Sequence, residues 1–375
     1  MHLYIHIPFC KQACHYCDFH FSTNLSQKSA LVDAIGQELV LQKDYLPTTH
    51  LDTIYFGGGT PSLLTESELG QLFDAIHRQF TVSPTAEITL EANPDDLTAD
   101  KLTMLRHYVN RLSIGLQTFS EETLRWMNRA HTATEAGQCV RLAREAGFDN
   151  LSIDLIYGIP DLTRPVGPIW LHDLDRALLL DVPHISAYAL TIEPDTAFGR
   201  WTQKGQLKPI DENLAADQFE QLSSALRGAG YDHYEISNFA KPGHYARHNT
   251  AYWQQQPYLG LGPSAHSYNG HSRQFNVANN TRYVQAIAKG GLPAEIEILT
   301  TTDRVNEYLL TGLRTQWGCS LTQLNTLLGA DFVDQQTFEL ADLYQKNWLH
   351  VQNGHLLLTE PGKLFADRVA ASLFV

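Results

Sequence analysis

Long apolar runs are missing from this 375-residue chain: none approaches the ~20 residues that cross a bilayer, and stretches such as 177–180 are short and flanked by charge. Cations are scarce as well, with 27 Lys and Arg against 41 Asp and Glu and a formal net charge of −14. Binding to a phosphate backbone depends on clustered Lys and Arg, so nucleic acid is not an expected partner. The opening residues, Met1 to Pro8, lack the basic start and unbroken apolar core of a secretion signal, which makes a cytoplasmic protein the expectation. Cysteine is limited to five residues, an odd number that argues against a disulfide framework. Cys139 and Cys319 are isolated and are expected to be small buried residues.

What is present is ample core material: 43% of residues are hydrophobic and 18% charged. The length fits two domains, or one enlarged barrel with an appendage. Short apolar runs at 3–7, 53–56, 87–90, 111–116, 151–156 and 184–190 read as strands. Helical stretches are expected between them at 26–45, 65–80, 98–109, from 120 and 134, and near 169–180. Thr65 and Glu68 fit a capping box at the start of one helix. Nearly continuous apolar strands separated by helices indicate a parallel sheet covered on both faces. Two architectures satisfy that pattern, a partial barrel of six β/α units and a doubly wound sheet. Cys10, Cys14 and Cys17, then the 57–60 turn, Glu91, Gln117, Asp154 and Tyr188 fall near the carboxyl ends of successive strands. A barrel gathers those ends around one mouth, whereas a doubly wound sheet uses a single switch point. The partial barrel of TIM type is therefore expected over residues 1–200.

Beyond that, helices are expected at 212–229 and 281–289 around an aromatic, glycine-rich region, a barrel extension spanning 201–292. Gly290, Gly291 and Pro293 mark a helix stop and a boundary. Residues 293–375 read as helices plus a hairpin turning at Asn353-Gly354, a small winged-helix-like α+β domain. Such units often bind DNA, but residues 295–375 carry 5 Lys and Arg against 10 Asp and Glu, so a packing or lid role is expected.

Cys10, Cys14 and Cys17, spaced Cys-x-x-x-Cys-x-x-Cys directly after the first strand, are soft donors suited to zinc or an iron–sulfur cluster. A closed zinc site wants four ligands, and His15 or His20 could complete one. Three thiolates on a four-iron cluster instead leave one iron open.

That loop resembles the signature of the radical S-adenosylmethionine (SAM) enzymes. The text from Tyr4 to Cys10, Gly57 to Ser62, Ile114 to Phe119 and Ile153 to Pro160 is similar, more narrowly, to the oxygen-independent coproporphyrinogen III oxidases and the HemW-type haem chaperones. The resemblance spans nearly the whole chain. It implies a 4Fe-4S cluster on Cys10, Cys14 and Cys17, whose open iron is chelated by SAM. It also implies SAM contacts at Tyr4, Tyr16, Gly58, Gly59, Thr60, Glu91, Gln117, Arg129, Asp154, Ala189 and His266. A structural ion pair in the barrel wall is the alternative for Arg129 and Asp154.

Two features separate the relatives. The oxidases resemble Cys-x-x-x-Cys-x-x-Cys-x-Cys with a longer segment before it, whereas here Phe19 holds the last position and Cys10 is near the start. The run His248-Asn-Thr-Ala-Tyr252-Trp253 is similar to the His-Asn-x-x-Tyr-Trp motif of the chaperones. Imidazole is a common haem ligand and aromatic faces suit a porphyrin, so His248, Tyr252 and Trp253 are the expected haem residues. A packed loop histidine is the plainer reading of His248. The chaperone resemblance implies haem, haem-accepting respiratory proteins and an electron-donor protein as partners, and leaves peripheral membrane association and a homodimer open. The other readings are the oxidase, which would use SAM-derived radical chemistry on porphyrinogen propionates, and a zinc-stabilised binding protein.

Overall fold

The computed structural model describes residues 1–160 and 169–375. Six strands, β1 (His2–Ile7), β2 (His50–Gly58), β3 (Thr81–Ala92), β4 (Arg111–Gln117), β5 (Asn150–Tyr157) and β6 (His184–Ala189), lie side by side in chain order, each neighbour parallel. The strand order never doubles back, so the doubly wound alternative is excluded and the partial barrel stands. Period-two alternation sets the two faces. In β1, Leu3, Ile5 and Ile7 are fully buried in the main core, while His2, Tyr4 and His6 take the opposite face, toward the barrel interior. Burying each of those aliphatic side chains contributes roughly 1.5–3 kcal/mol. Helix starts follow local chemistry: Thr65 and Glu68 form the expected capping box before helix Glu66–Gln79, and Thr132 with Glu135 forms another before helix Ala133–Glu145. The expected 98–109 helix is shorter, Ala99–Leu105, and β3 begins six residues earlier than its apolar run.

After β6 the chain builds onto both edges. A hairpin of β7 (Asp232–Glu235) and β8 (Asn238–Ala240) pairs antiparallel with β6. On the other side β9 (Tyr258–Leu261) runs parallel to β1, followed by β10 (His266–Tyr268), β11 (Ser272–Asn276) and β12 (Ala294–Ile298), antiparallel in turn. The result, among the described residues, is one twelve-stranded sheet. The boundary expected at 292/293 falls before β12, which still pairs with β11; the second core begins at Val305.

That second unit holds β13 (Cys319–Ser320), β14 (Leu349–Gln352) and β15 (His355–Leu358) with several helices around them. Asn353 and Gly354 turn the hairpin with φ of 51° and 76°, the left-handed values an Asn-Gly pair tolerates. It attaches to both sides of the open sheet. Ile236 N donates to Arg314 O (3.0 Å), Gln316 N to Tyr234 O (3.0 Å), and Arg273 on β11 pairs with Glu307 (2.9 Å). Cys139 and Cys319 are buried in the two cores, as expected. Among the described residues no helix is long and apolar enough to cross a membrane.

Candidate cofactor pocket

The cysteine loop leaves β1 and is held against the turn after β2. Gly59 N donates to Ile7 O (3.0 Å), Thr60 N to Phe9 O (2.7 Å) and Cys10 N to Ser22 O (3.1 Å). Glycine is required here by the protein itself. A Cβ on Gly59 would sit 2.7–2.8 Å from the backbone of Ile7 and Phe9, and one on Gly58, at φ 103°, would run into the His6 ring. Cys10, Cys14 and Cys17 are half-buried free thiols. Together with Tyr16, Gly58, Gly59, Thr60, Glu91, Gln117, Arg129, Asp154 and Ala189 they line one cavity of about 500 Å³ at the carboxyl rim. Residues separated by some 180 positions thus share one wall, as the barrel geometry demands.

Its charges are arranged in depth. Glu91 accepts from Tyr55 Oη (2.7 Å) and Gly58 N (3.1 Å); burial, with Asp154 adding repulsion, pushes its pKa up to about 7. Asp154 lies in the middle of β5 rather than at its end, opposite Gly115 and Ser186, and burial raises it to about 6. Arg129 donates to Asn93 Oδ1 and Gly115 O, both at 2.7 Å, and approaches Cys14 Sγ at 3.5 Å. No ion pair joins it to Asp154 among the described residues, so the structural-pair alternative is not met. Arg111, only 1% exposed at the start of β4, lowers the pKa of both carboxylates from below. Sequence reasoning passed over it; an arginine opening an otherwise apolar strand was the available signal. Gln117 carries φ of 68° where the β4–β5 register shifts, a strained backbone at the cavity wall.

Neither histidine considered as a zinc ligand lines the cavity that holds all three thiols. His15 Nδ1 bonds to Trp126 O (2.8 Å) and His20 Nε2 to Asn280 Oδ1 (2.8 Å). Among the described residues no three His, Cys, Asp or Glu side chains converge closely enough for a single metal ion.

Five expected contact residues fall outside this cavity. Tyr4 lies below the rim with its hydroxyl on His6 Nδ1 (3.0 Å), and His266 is exposed on β10; neither lines it. His248 is at the other end of the barrel. Helix Arg247–Trp253 plugs the floor, its first amides capped by the buried Glu87 carboxylate (3.1 and 3.0 Å). His248 is 1% exposed, and its Nδ1 and Nε2 lie 2.6 Å from Thr53 Oγ1 and 2.7 Å from Tyr252 Oη. Both ring nitrogens are therefore engaged, and neither is offered to an iron. Tyr252 packs edge-on against His248, and Trp253 sits under the Arg314 guanidinium (5.4 Å), so neither forms an open porphyrin face. The packed-histidine reading describes this segment.

An open β/α barrel with this cysteine loop and cavity at its carboxyl rim defines a radical SAM protein, and residues 4–165 match the model of the radical SAM superfamily. Residues 299–365 match the HemN C-terminal domain. The chain is 38% identical over 370 residues to heme chaperone HemW of Bacillus subtilis, covering 98% of this chain and 97% of that one. It is 34% identical to heme chaperone HemW of Escherichia coli, over 97% and 96% of the two chains. The chain belongs to the HemW family. Coproporphyrinogen III oxidase (HemN) of Escherichia coli, a radical SAM enzyme, superimposes with a TM-score of 0.85 at 25% identity, over all of this chain and 89% of the other.

Proposed function

We propose that this chain is a haem chaperone that carries a 4Fe-4S cluster on Cys10, Cys14 and Cys17, binds SAM in the adjoining cavity, and delivers haem to respiratory acceptor proteins. The observation that carries the cofactor reading is the cavity itself. Three unpaired thiols and two carboxylates, both lifted toward neutrality by burial, line it together. Carboxylates held in that state favour a cationic occupant, and the ammonium and sulfonium of SAM supply one. When bound, the cluster supplies the electron for reductive chemistry and one iron with an open position. The chain's own contribution is placement. Tyr16 and Ile156 give an apolar side to the cavity, Glu91 and Asp154 offer acceptors, and Arg129 sets the charge beside Cys14.

Phe19 favours chaperone over oxidase. It stands where the oxidases carry a further cysteine, is 72% exposed, and forms part of the cavity rim. The test is anaerobic reconstitution followed by iron and sulfide analysis, then incubation with coproporphyrinogen III, an electron donor and SAM. Roughly four irons and four sulfides per chain with haem transfer but no protoporphyrinogen IX are expected. Conversion of the porphyrinogen overturns the chaperone assignment in favour of the oxidase. Bound zinc without sulfide overturns the cluster.

A further inference from the structure

We propose that β12 is an open sheet edge that takes up one further strand from a protein partner, an extended segment in which Lys or Arg alternates with apolar side chains. The inference goes beyond the haem reading and needs no cofactor in place.

The phase of the hydrogen bonds shows what the edge offers. Val277 N donates to Pro293 O (2.8 Å) and Leu299 N to His271 O (3.1 Å). Bonded and non-bonded pairs alternate in an antiparallel ladder, so Glu295 and Glu297 direct their backbone groups at Phe275 and Arg273 of β11. The N–H and C=O groups of Ala294, Ile296 and Ile298 therefore point away from β11. Strand β12 ends the strand order, and among the described residues none of these groups meets another backbone partner. Ile296 is 65% and Ile298 74% exposed, so the edge is uncovered. Edges are usually blunted by proline, a bulge or a covering element. Residues Ala294–Ile298 contain no proline, and their register with β11 is unbroken.

Side-chain alternation then selects the occupant. Ala294, Ile296 and Ile298 take one face, opposite Asn276, Gln274 and Ser272, while Glu295 and Glu297 take the other, opposite Phe275 and Arg273. Acid dominates that second face. Arg273 is already paired with Glu307 at 2.9 Å, on helix Thr301–Leu313, and among the described residues neither Glu295 nor Glu297 has an ion-pair partner. Burial raises the Glu307 pKa, and repulsion from Asp303 and Glu297 adds to it. A second copy of the chain does not suit this edge. Antiparallel pairing of β12 with itself about Ile296 sets Glu295 directly against Glu297, and like charges in that position repel. An incoming strand with cations opposite the two glutamates gains both pairs, and its alternate apolar side chains cover Ile296 and Ile298. In such strand addition the main-chain bonds supply affinity and the alternating side chains supply specificity. The net charge of −14 steers a cationic segment toward the chain.

The experiment titrates a fluorescein-labelled peptide of alternating lysine and valine into the full chain and follows anisotropy, beside a glutamate–valine peptide. Saturable binding of the lysine peptide is expected, with the glutamate peptide at least about tenfold weaker. Ile296→Pro deletes one outward N–H and leaves the β11 ladder intact, a placement that edge strands tolerate. It is expected to unfold as cooperatively as the parent and to bind the lysine peptide about tenfold more weakly, whereas general charge attraction would survive the change. The double variant Glu295→Lys, Glu297→Lys is expected to prefer the glutamate peptide. A parent chain that does not favour the lysine peptide overturns the proposal, as does a folded Ile296→Pro protein with parental affinity. Should the proline variant fail to fold, an unchanged preference in the charge-reversed variant overturns it equally. Sedimentation equilibrium completes the set: a concentration-dependent dimer that Ile296→Pro abolishes assigns the edge to a second copy and refutes the cationic partner.

Discussion

Glu38 offers a sharp test of the electrostatics of the fold. Its carboxylate is fully buried, on helix Lys28–Leu41, and accepts from Tyr283 Oη (2.5 Å), Asn276 Nδ2 (2.6 Å) and Gly262 N (2.8 Å). It thereby ties that helix to the extension carrying β9–β11. Burial outweighs these donors and raises its pKa to about 7, from 4.5. Because the folded state holds the proton more tightly than the unfolded chain, the group's contribution is complete below about pH 4.5 and declines as pH rises toward 7 and beyond. At 1.36 kcal/mol per unit, the loss amounts to about 2 kcal/mol by pH 6 and about 3 kcal/mol by pH 8. Glu38→Gln removes the titration while keeping the shape and one acceptor oxygen. Urea unfolding of both proteins from pH 4.5 to 8 isolates this group, since other buried residues cancel in the difference. The parent is expected to lose about 3 kcal/mol relative to the variant across that range. A difference that stays flat with pH would refute the reasoning.

Two further outcomes follow from packing. Gly59→Ala forces a Cβ to 2.7–2.8 Å from the Ile7 and Phe9 backbone, which cannot swing aside as a side-chain tip would. A stability loss of roughly 1–3 kcal/mol is expected, with cluster incorporation after reconstitution falling more steeply; iron analysis of refolded protein checks it. Arg314→Ala removes the ionic partner of Glu235, a buried carboxylate 3.2 Å away, and detaches the second unit from the β7–β8 edge. Thermal and urea unfolding should show a cost of roughly 3 kcal/mol, much of it recovered in an Arg314→Met, Glu235→Gln double variant, because the penalty is mainly an unpaired buried charge.

Read from the sequence alone, the barrel, the cysteine loop and most of the cavity wall were legible, because each depends on local patterning. The alternation in His2–Ile7, the capping box at Thr65, the Asn353-Gly354 turn and the 10-14-17 cysteine spacing all state their structural consequence within a few residues. Their order along the chain then decides that Glu91, Gln117 and Asp154 meet, since parallel strands in sequence put all carboxyl ends on one rim. What tertiary structure alone decided is which way the later histidines point. His248 and His266 look alike in sequence, each beside aromatics. The helix carrying His248 folds under the barrel and fills both its nitrogens, while the β9–β1 pairing turns His266 onto an open inner wall. Strand β12, past a glycine pair that reads as a boundary, stays with the barrel for the same reason. Pairing across distant segments is a property of the assembled sheet, and no local pattern records it.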